Sequence, residues 1–175
     1  SVFFMSKLFS TPAMRWYVMA GVSIGLATAT KYNAALLVPA LVLVHMLRSS
    51  SLTHAVRSLK SRSLLYSIGS SILLFAVTNP FIMTRFKDFV SDFGDASRHM
   101  TYGHLGLDTS KFAIESYFLE TLQASLGWIM VIASVISIIY FIGKREKKSL
   151  VLLTFPIIFI VVVGTWRMTA ERYIM

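Results

Sequence analysis

WYVMAGVSIGLATATKYNAALLVPALVLVHML, residues 16–47, is apolar on both sides of one short interruption, Lys31-Tyr32-Asn33. Read as a single helix, the stretch would be about 48 Å long. A bilayer core is roughly 30 Å thick. A single helix would also bury Lys31 near mid-membrane, at a cost of at least ~2.5 kcal/mol. The stretch therefore predicts a tight hairpin of two short helices, 16–30 and 34–47, with Lys31 at its tip. Both arms are shorter than the ~20 residues of a full span, so the tip is expected below the headgroups or in a locally thinned bilayer. Gly21 and Gly25, with Ala27 and Ala29 nearby, give the first arm a small-residue face suited to close helix packing. The same residues are also ordinary membrane-helix composition.

Charge sorting sets the orientation. The segments 1–15, 48–63 and 143–149 hold ten of the seventeen Lys and Arg residues and one acid, Glu146, so they carry the whole net charge of +9. The rest of the chain holds seven basic and seven acidic residues. Short loops rich in Lys and Arg mark the cytoplasmic face of a membrane protein. The basicity is thus a topology signal. A nucleic-acid footprint would cluster on a polar, foldable domain. With 55% apolar and 14% charged residues and a mean hydropathy of +0.68, the chain lies far from soluble composition. One small core could not hide so many apolar segments. Cysteine is absent, which excludes disulfide frameworks and thiolate chemistry. The chain opens Ser1-Val2-Phe3-Phe4, has no signal-peptide layout, and ends as new apolar sequence begins. It reads as an internal fragment of a larger protein.

Three further spans are expected, at 64–84, 124–142 and 150–166, giving about five. Asn79-Pro80 bends the exit of the third, because proline frees a backbone carbonyl. Lys144 to Lys148 form an inner stop before the fifth, which contains Pro156. The loop 48–63 is basic and Ser-rich, suiting a solvated surface against anionic lipid. Residues 85–116 make the longest polar stretch, an outer loop. Within it Asp88, Asp92, Asp95 and His99 fall on one helical face and Phe86, Phe89, Val90 and Phe93 on the other. That pattern is an amphipathic helix lying in the outer interface. Gly103 and Gly106 then break it. The fold class is all-α: one polytopic transmembrane helical bundle over 1–175.

The unusual polar groups share the predicted outer side: Lys31-Tyr32-Asn33, Asn79, the 85–116 loop, and Arg167 to Tyr173. Cations, histidines and aromatics gathered there could hold a phosphate. Lys and Arg also snorkel, and Trp and Tyr belt the interface, so anchoring is the plain alternative for Arg167 and Lys111. For Lys31, forced into a hairpin tip, the ligand role is favoured. Asp95 and His99 have one-turn spacing for two metal ligands, with His104 and Asp108 beyond. No third ligand is fixed by the pattern, and no ion is selected; no metal site is assigned. Neither a Gly-x-Ser-x-Gly elbow nor a phosphate-binding glycine loop occurs.

Four stretches in order resemble one family, the GT-C membrane glycosyltransferases, and within it the dolichyl-phosphate-mannose protein mannosyltransferase-like (glycosyltransferase family 39-like) branch. The first is the run Gly21 to Tyr32, which follows a basic residue and leads into an apolar span. Thr78-Asn79-Pro80-Phe81 is similar to the family's T-S/N-P-Y/F helix exit, followed here by Phe86-Lys87-Asp88-Phe89. His99-x3-Gly103-His104-x-Gly106 looks like its outer-loop histidine and glycine pattern. Arg172-Tyr173-Ile174-Met175 looks like the start of its Arg-Tyr motif, cut before the proline.

The resemblance implies a multi-spanning enzyme that moves a sugar from a polyprenyl- or dolichyl-phosphate carrier to a protein, glycan or lipid acceptor outside the cytoplasm. Such enzymes place an acidic catalytic motif on the first outer loop. No position here matches it, so no catalytic residue is assigned to this chain, and the base is expected upstream of Ser1. No cofactor is assigned either; a divalent metal stays open for the longer enzyme. This chain is then the lipid-carrier half, with Lys31 near the donor phosphate and Tyr32, His99, His104, Arg172 and Tyr173 lining the outer cavity. The membrane would be the plasma (inner) membrane of a prokaryote or the endoplasmic reticulum of a eukaryote, with membrane lipids as partners and no nucleic acid. Two other classes fit the composition: a transporter or flippase fragment, with Lys31 in a mid-membrane site, and a non-catalytic membrane subunit. The first predicts a second copy of the 16–47 hairpin, and none is visible.

Overall fold

The break at Lys31 decides the first helices. In the computed structural model, which describes residues 1–102, 114, 122–144 and 147–166, α1 (Val2–Ser10) and α2 (Met14–Thr30) precede it. Lys31 is extended (φ −149°, ψ 116°), and a 3-10 turn over Tyr32–Leu36 leads into α3 (Leu37–Leu47). Pro39 sits in the first turn of α3, where a missing N–H costs no helical hydrogen bond. α4 (Leu52–Ser58), α5 (Arg62–Thr78), α6 (Pro80–Thr84), α7 (Phe86–Tyr102), α8 (Leu122–Lys144) and α9 (Lys147–Gly164) follow. No strand occurs among the described residues, so the all-α expectation holds.

The chain divides into two units. The first comprises Ser1–Thr84 with Lys144–Ile158. Its core gathers Met5 and Leu8 of α1, Tyr17, Ala20 and Ile24 of α2, and Leu41 and Val44 of α3, closed by Leu64 and Val151. On α2 these positions recur every three or four residues, one face of a helix. Tyr17 near the start of α2 meets His45 near the end of α3, so the two arms run antiparallel as the hairpin requires.

The principal partner of α2 is α5, and the contact is built on small residues. Gly21 and Gly25 are buried against Ser67, Ser70, Ser71 and Leu74. A Cβ on Gly21 would overlap the Ser67 carbonyl and the Ser70 hydroxyl. The serines use this proximity: Ser67 Oγ donates to the Tyr17 carbonyl at 2.6 Å and Ser70 Oγ to that of Val18 at 3.4 Å. Small residues let two backbones approach where lipid offers no hydrophobic gain from association. The Gly21/Gly25 face is therefore a packing surface.

Two expectations are corrected. The third span, expected over 64–84, stops at Thr78. Asn79 has φ −126° and ψ 65°, and α6 begins at Pro80, because a residue before proline is driven out of the helical region. The loop 48–63 contains a helix, α4, begun by Ser51, whose hydroxyl accepts from the His54 amide at 3.4 Å. α4 and α5 meet at a bend of 49°.

In the second unit, the amphipathic reading of 85–99 is realised as α7. Asp88, Asp92, Asp95 and His99 are exposed, as are Phe86, Val90 and Phe93. Phe89 stacks on Phe93 at 6.1 Å, and Asp95 pairs with Arg98. α8 has a break at Gly127, whose φ of 73° suits a residue without Cβ. Of the described helices, the stretch Leu126–Lys144 alone is long and apolar enough to cross a bilayer by itself. The bent pair α4 and α5 passes the same test jointly, while Tyr32–Leu47 and Val151–Gly164 are apolar but shorter. Five independent full-length spans are thus not what the helices present.

Candidate functional site

Two of the expected motifs meet in the first unit. The tip Lys31-Tyr32-Asn33 follows the end of α2, and the Thr78-Asn79-Pro80 exit follows the end of α5. Because α2 lies along α5, the two helix ends come together. The Tyr32 ring stands edge-on to Phe75 of α5, centroids 6.3 Å apart. Asn79 Nδ2 donates to the Phe75 carbonyl at 2.9 Å, and Thr78 Oγ1 donates to that of Leu74 at 2.7 Å. The Phe75 carbonyl also accepts from the Asn79 amide at 3.1 Å, so side chains and backbone together hold the end of α5 at the proline exit.

Lys31 is exposed and Tyr32 half exposed. Asn33 carries a buried side-chain nitrogen with no hydrogen-bond partner. An unpaired buried donor costs roughly 1–3 kcal/mol, so the tip holds an amide without an acceptor beside a cation. An anionic oxygen is the complementary chemistry.

The remaining assignments divide. His99 is exposed near the end of α7 in the second unit. His104, Arg172 and Tyr173 lie outside the described residues. No group of three or more potential metal ligands occurs among the described residues.

Sequence reasoning missed a second polar cluster, at the opposite end of α2. His45 Nε2 lies 3.0 Å from the Ser58 carbonyl, which can only accept, so Nε2 carries the proton. Nδ1 of the neutral ring then accepts from the Tyr17 hydroxyl at 2.6 Å, and Arg48 donates to the Tyr17 oxygen. Ser61 Oγ stands 3.3 Å from Nε2. The signal was available: a histidine and a tyrosine, each one or two residues inside the basic end of an apolar arm. Tyr17→Phe is expected to leave Nδ1 and the guanidinium without this partner, costing about 1–3 kcal/mol. Thermal unfolding in detergent would show a lowered midpoint; an unchanged one would mean that water replaces the hydroxyl.

Comparison with known proteins bears on the first of these sites. No curated protein and no solved structure matches the chain. Residues 1–83 match the family described as dolichyl-phosphate-mannose-protein mannosyltransferase. That stretch, 83 of the 175 residues, contains both the Lys31 tip and the Asn79-Pro80 exit, and over it the chain is similar to this family of membrane glycosyltransferases.

Proposed function

We propose that this chain is the lipid-carrier side of a glycosyltransferase that moves a sugar from a polyprenyl-phosphate carrier to an acceptor outside the cytoplasm. The observation that carries this reading is the meeting of the Lys31-Tyr32-Asn33 tip with the Asn79-Pro80 exit, through Tyr32 and Phe75, inside the family-matched stretch. In the reaction the bond between the sugar's anomeric carbon and a phosphate oxygen breaks, and a bond to the acceptor oxygen forms. The acceptor proton passes to a general base, for which no residue of this chain is assigned. Negative charge develops on the departing lipid phosphate. Lys31, with the Asn33 amide beside it, stabilises that charge as it forms, which is where electrostatic catalysis acts. His99, His104, Arg172 and Tyr173 are further candidates for carrier binding in this reading.

The apolar helices then form about five membrane crossings, the shorter ones seated in thinned bilayer, with α7 lying in the outer interface. The basic segments face inward, and the host is a plasma or endoplasmic-reticulum membrane. The acceptor is a protein, a glycan or a lipid.

The test is sugar transfer by the full-length protein reconstituted with radiolabelled polyprenyl-phosphate sugars, mannose first. Labelled acceptor with release of lipid phosphate is the expected result. Folded protein that transfers nothing from any carrier would overturn the reading and favour a transporter.

A further inference from the structure

Three helices of the first unit end at the same two levels. At the basic end, Tyr17 near the start of α2, His45 near the end of α3 and Ser61 at the start of α5 are joined by hydrogen bonds. Arg15, Arg48 and Arg62 flank them in sequence. At the other end, α2 and α5 finish side by side. They run parallel and in step, since Gly21 faces Ser67 and Gly25 faces Ser71, four residues on in each helix. Tyr32 meets Phe75 there, and the turn into α3 sets out from the same tip.

Between these levels lie the apolar stretches 16–30, 34–47 and 63–78. At about 1.5 Å per residue they cover about 21–24 Å, against a bilayer core of roughly 30 Å. All three are short by a similar amount at shared ends, so none compensates for another, and tilting would shorten their span further. α4 does not lengthen α5, because the two meet at a bend of 49° with Lys60 and Arg62 beside it. Arg48 is held on the hydroxyl of the buried Tyr17, so it does not stretch toward more distant water. The outward side chains along this length are apolar: Met19 and Leu26 of α2 are exposed, as are Leu65, Ile72, Leu73 and Val77 of α5.

We infer that the first unit takes short-chain phospholipid as its lipid partner, a surround whose hydrocarbon core is about 21–24 Å thick and so meets both helix ends. The inference rests on the membrane-spanning reading proposed above and deepens it. A lipid carrier holds its phosphate at the level of the headgroups. In a matched bilayer the exposed Lys31 tip stands at that level. In a thicker one the tip lies beneath it, so acyl-chain length sets whether the carrier phosphate reaches Lys31.

These 175 residues contain no cysteine. Thr30→Cys, at the exposed end of α2, therefore reports on the tip in the full-length protein once any cysteine elsewhere is replaced. The probe is a membrane-impermeant maleimide, applied to phosphatidylcholine vesicles with acyl chains of about 14 carbons or about 22 carbons. Labelling is expected to be fast in the short-chain vesicles and to slow by roughly tenfold in the long-chain ones. Thr78→Cys, at the matching end of α5, should show the same dependence and decides the matter should the first variant fail to fold. Equal rates in the two bilayers would overturn the inference, as would slow labelling in the short-chain vesicles. Neither measurement reads sugar transfer. An inactive protein with thickness-dependent labelling would sink the proposed function alone, and an active one with equal labelling would sink the match alone.

Discussion

Gly21→Ala should sharply reduce the amount of folded protein recovered from the membrane. The added Cβ would occupy the position of the Ser67 carbonyl, a backbone group that cannot rotate aside, and of the Ser70 hydroxyl. α2 and α5 must separate, weakening the bonds from Ser67 and Ser70 to the carbonyls of α2. Overpacking of this kind costs ~1–3 kcal/mol, and each interhelical bond in a membrane adds about 0.6 kcal/mol. Against this stands the better helix propensity of alanine over glycine, about 0.8–1.0 kcal/mol. The clash wins. Gly69→Ala provides the contrast, because nothing lies within 4 Å of its Cβ position. It gains the propensity without the clash and should melt at or slightly above the parent temperature. Heating detergent-solubilised protein and measuring what remains monodisperse compares the two. Equal melting would show that the α2–α5 contact relaxes freely.

Lys31→Met should abolish most sugar transfer while leaving the fold intact. Lys31 is exposed and lies outside the buried core of the first unit, so its removal is expected to leave the protein folded, which a melting curve checks. If its ammonium stabilises the leaving phosphate, the loss falls on kcat, by about 10²–10³ for one preorganised donor. Lys31→Arg keeps the charge and should retain part of the rate. Transfer by Lys31→Met equal to that of the parent protein would make Lys31 an interfacial anchor and move the donor site elsewhere.

The sequence made the positions of the helices legible because apolar runs and their interruptions are local. Lys31 could not sit in mid-membrane, and Pro80 could not continue a helix; the structure breaks at both. α7 was legible from the alternation of its acids and aromatics. The pairing of α2 with α5 was not, because a small-residue face announces close packing without naming its partner, which here lies three helices further on. α4 was hidden in a loop whose serines and cations mask the Leu52–Val56 repeat. The Tyr17–His45–Arg48 cluster was missed for a related reason: each residue alone resembles an interfacial side chain, and only the fold brings them together. Of the candidate site, the Lys31 tip and the Asn79-Pro80 exit were each visible in the sequence, but their meeting through Phe75 is a tertiary fact.

The α2–α5 contact also has a schedule. A ribosome adds about 5–20 residues per second, so several seconds separate synthesis of Thr30 from that of Thr78. During that interval the glycine face of α2 is already made, with its eventual partner still unsynthesised. Neighbouring polypeptides emerging from the same polysome carry the same serine-bearing α5. Crowded translation thus sets intramolecular closure against exchange between nascent chains, and slowing elongation between α3 and α5 would lengthen the window for entangled dimers.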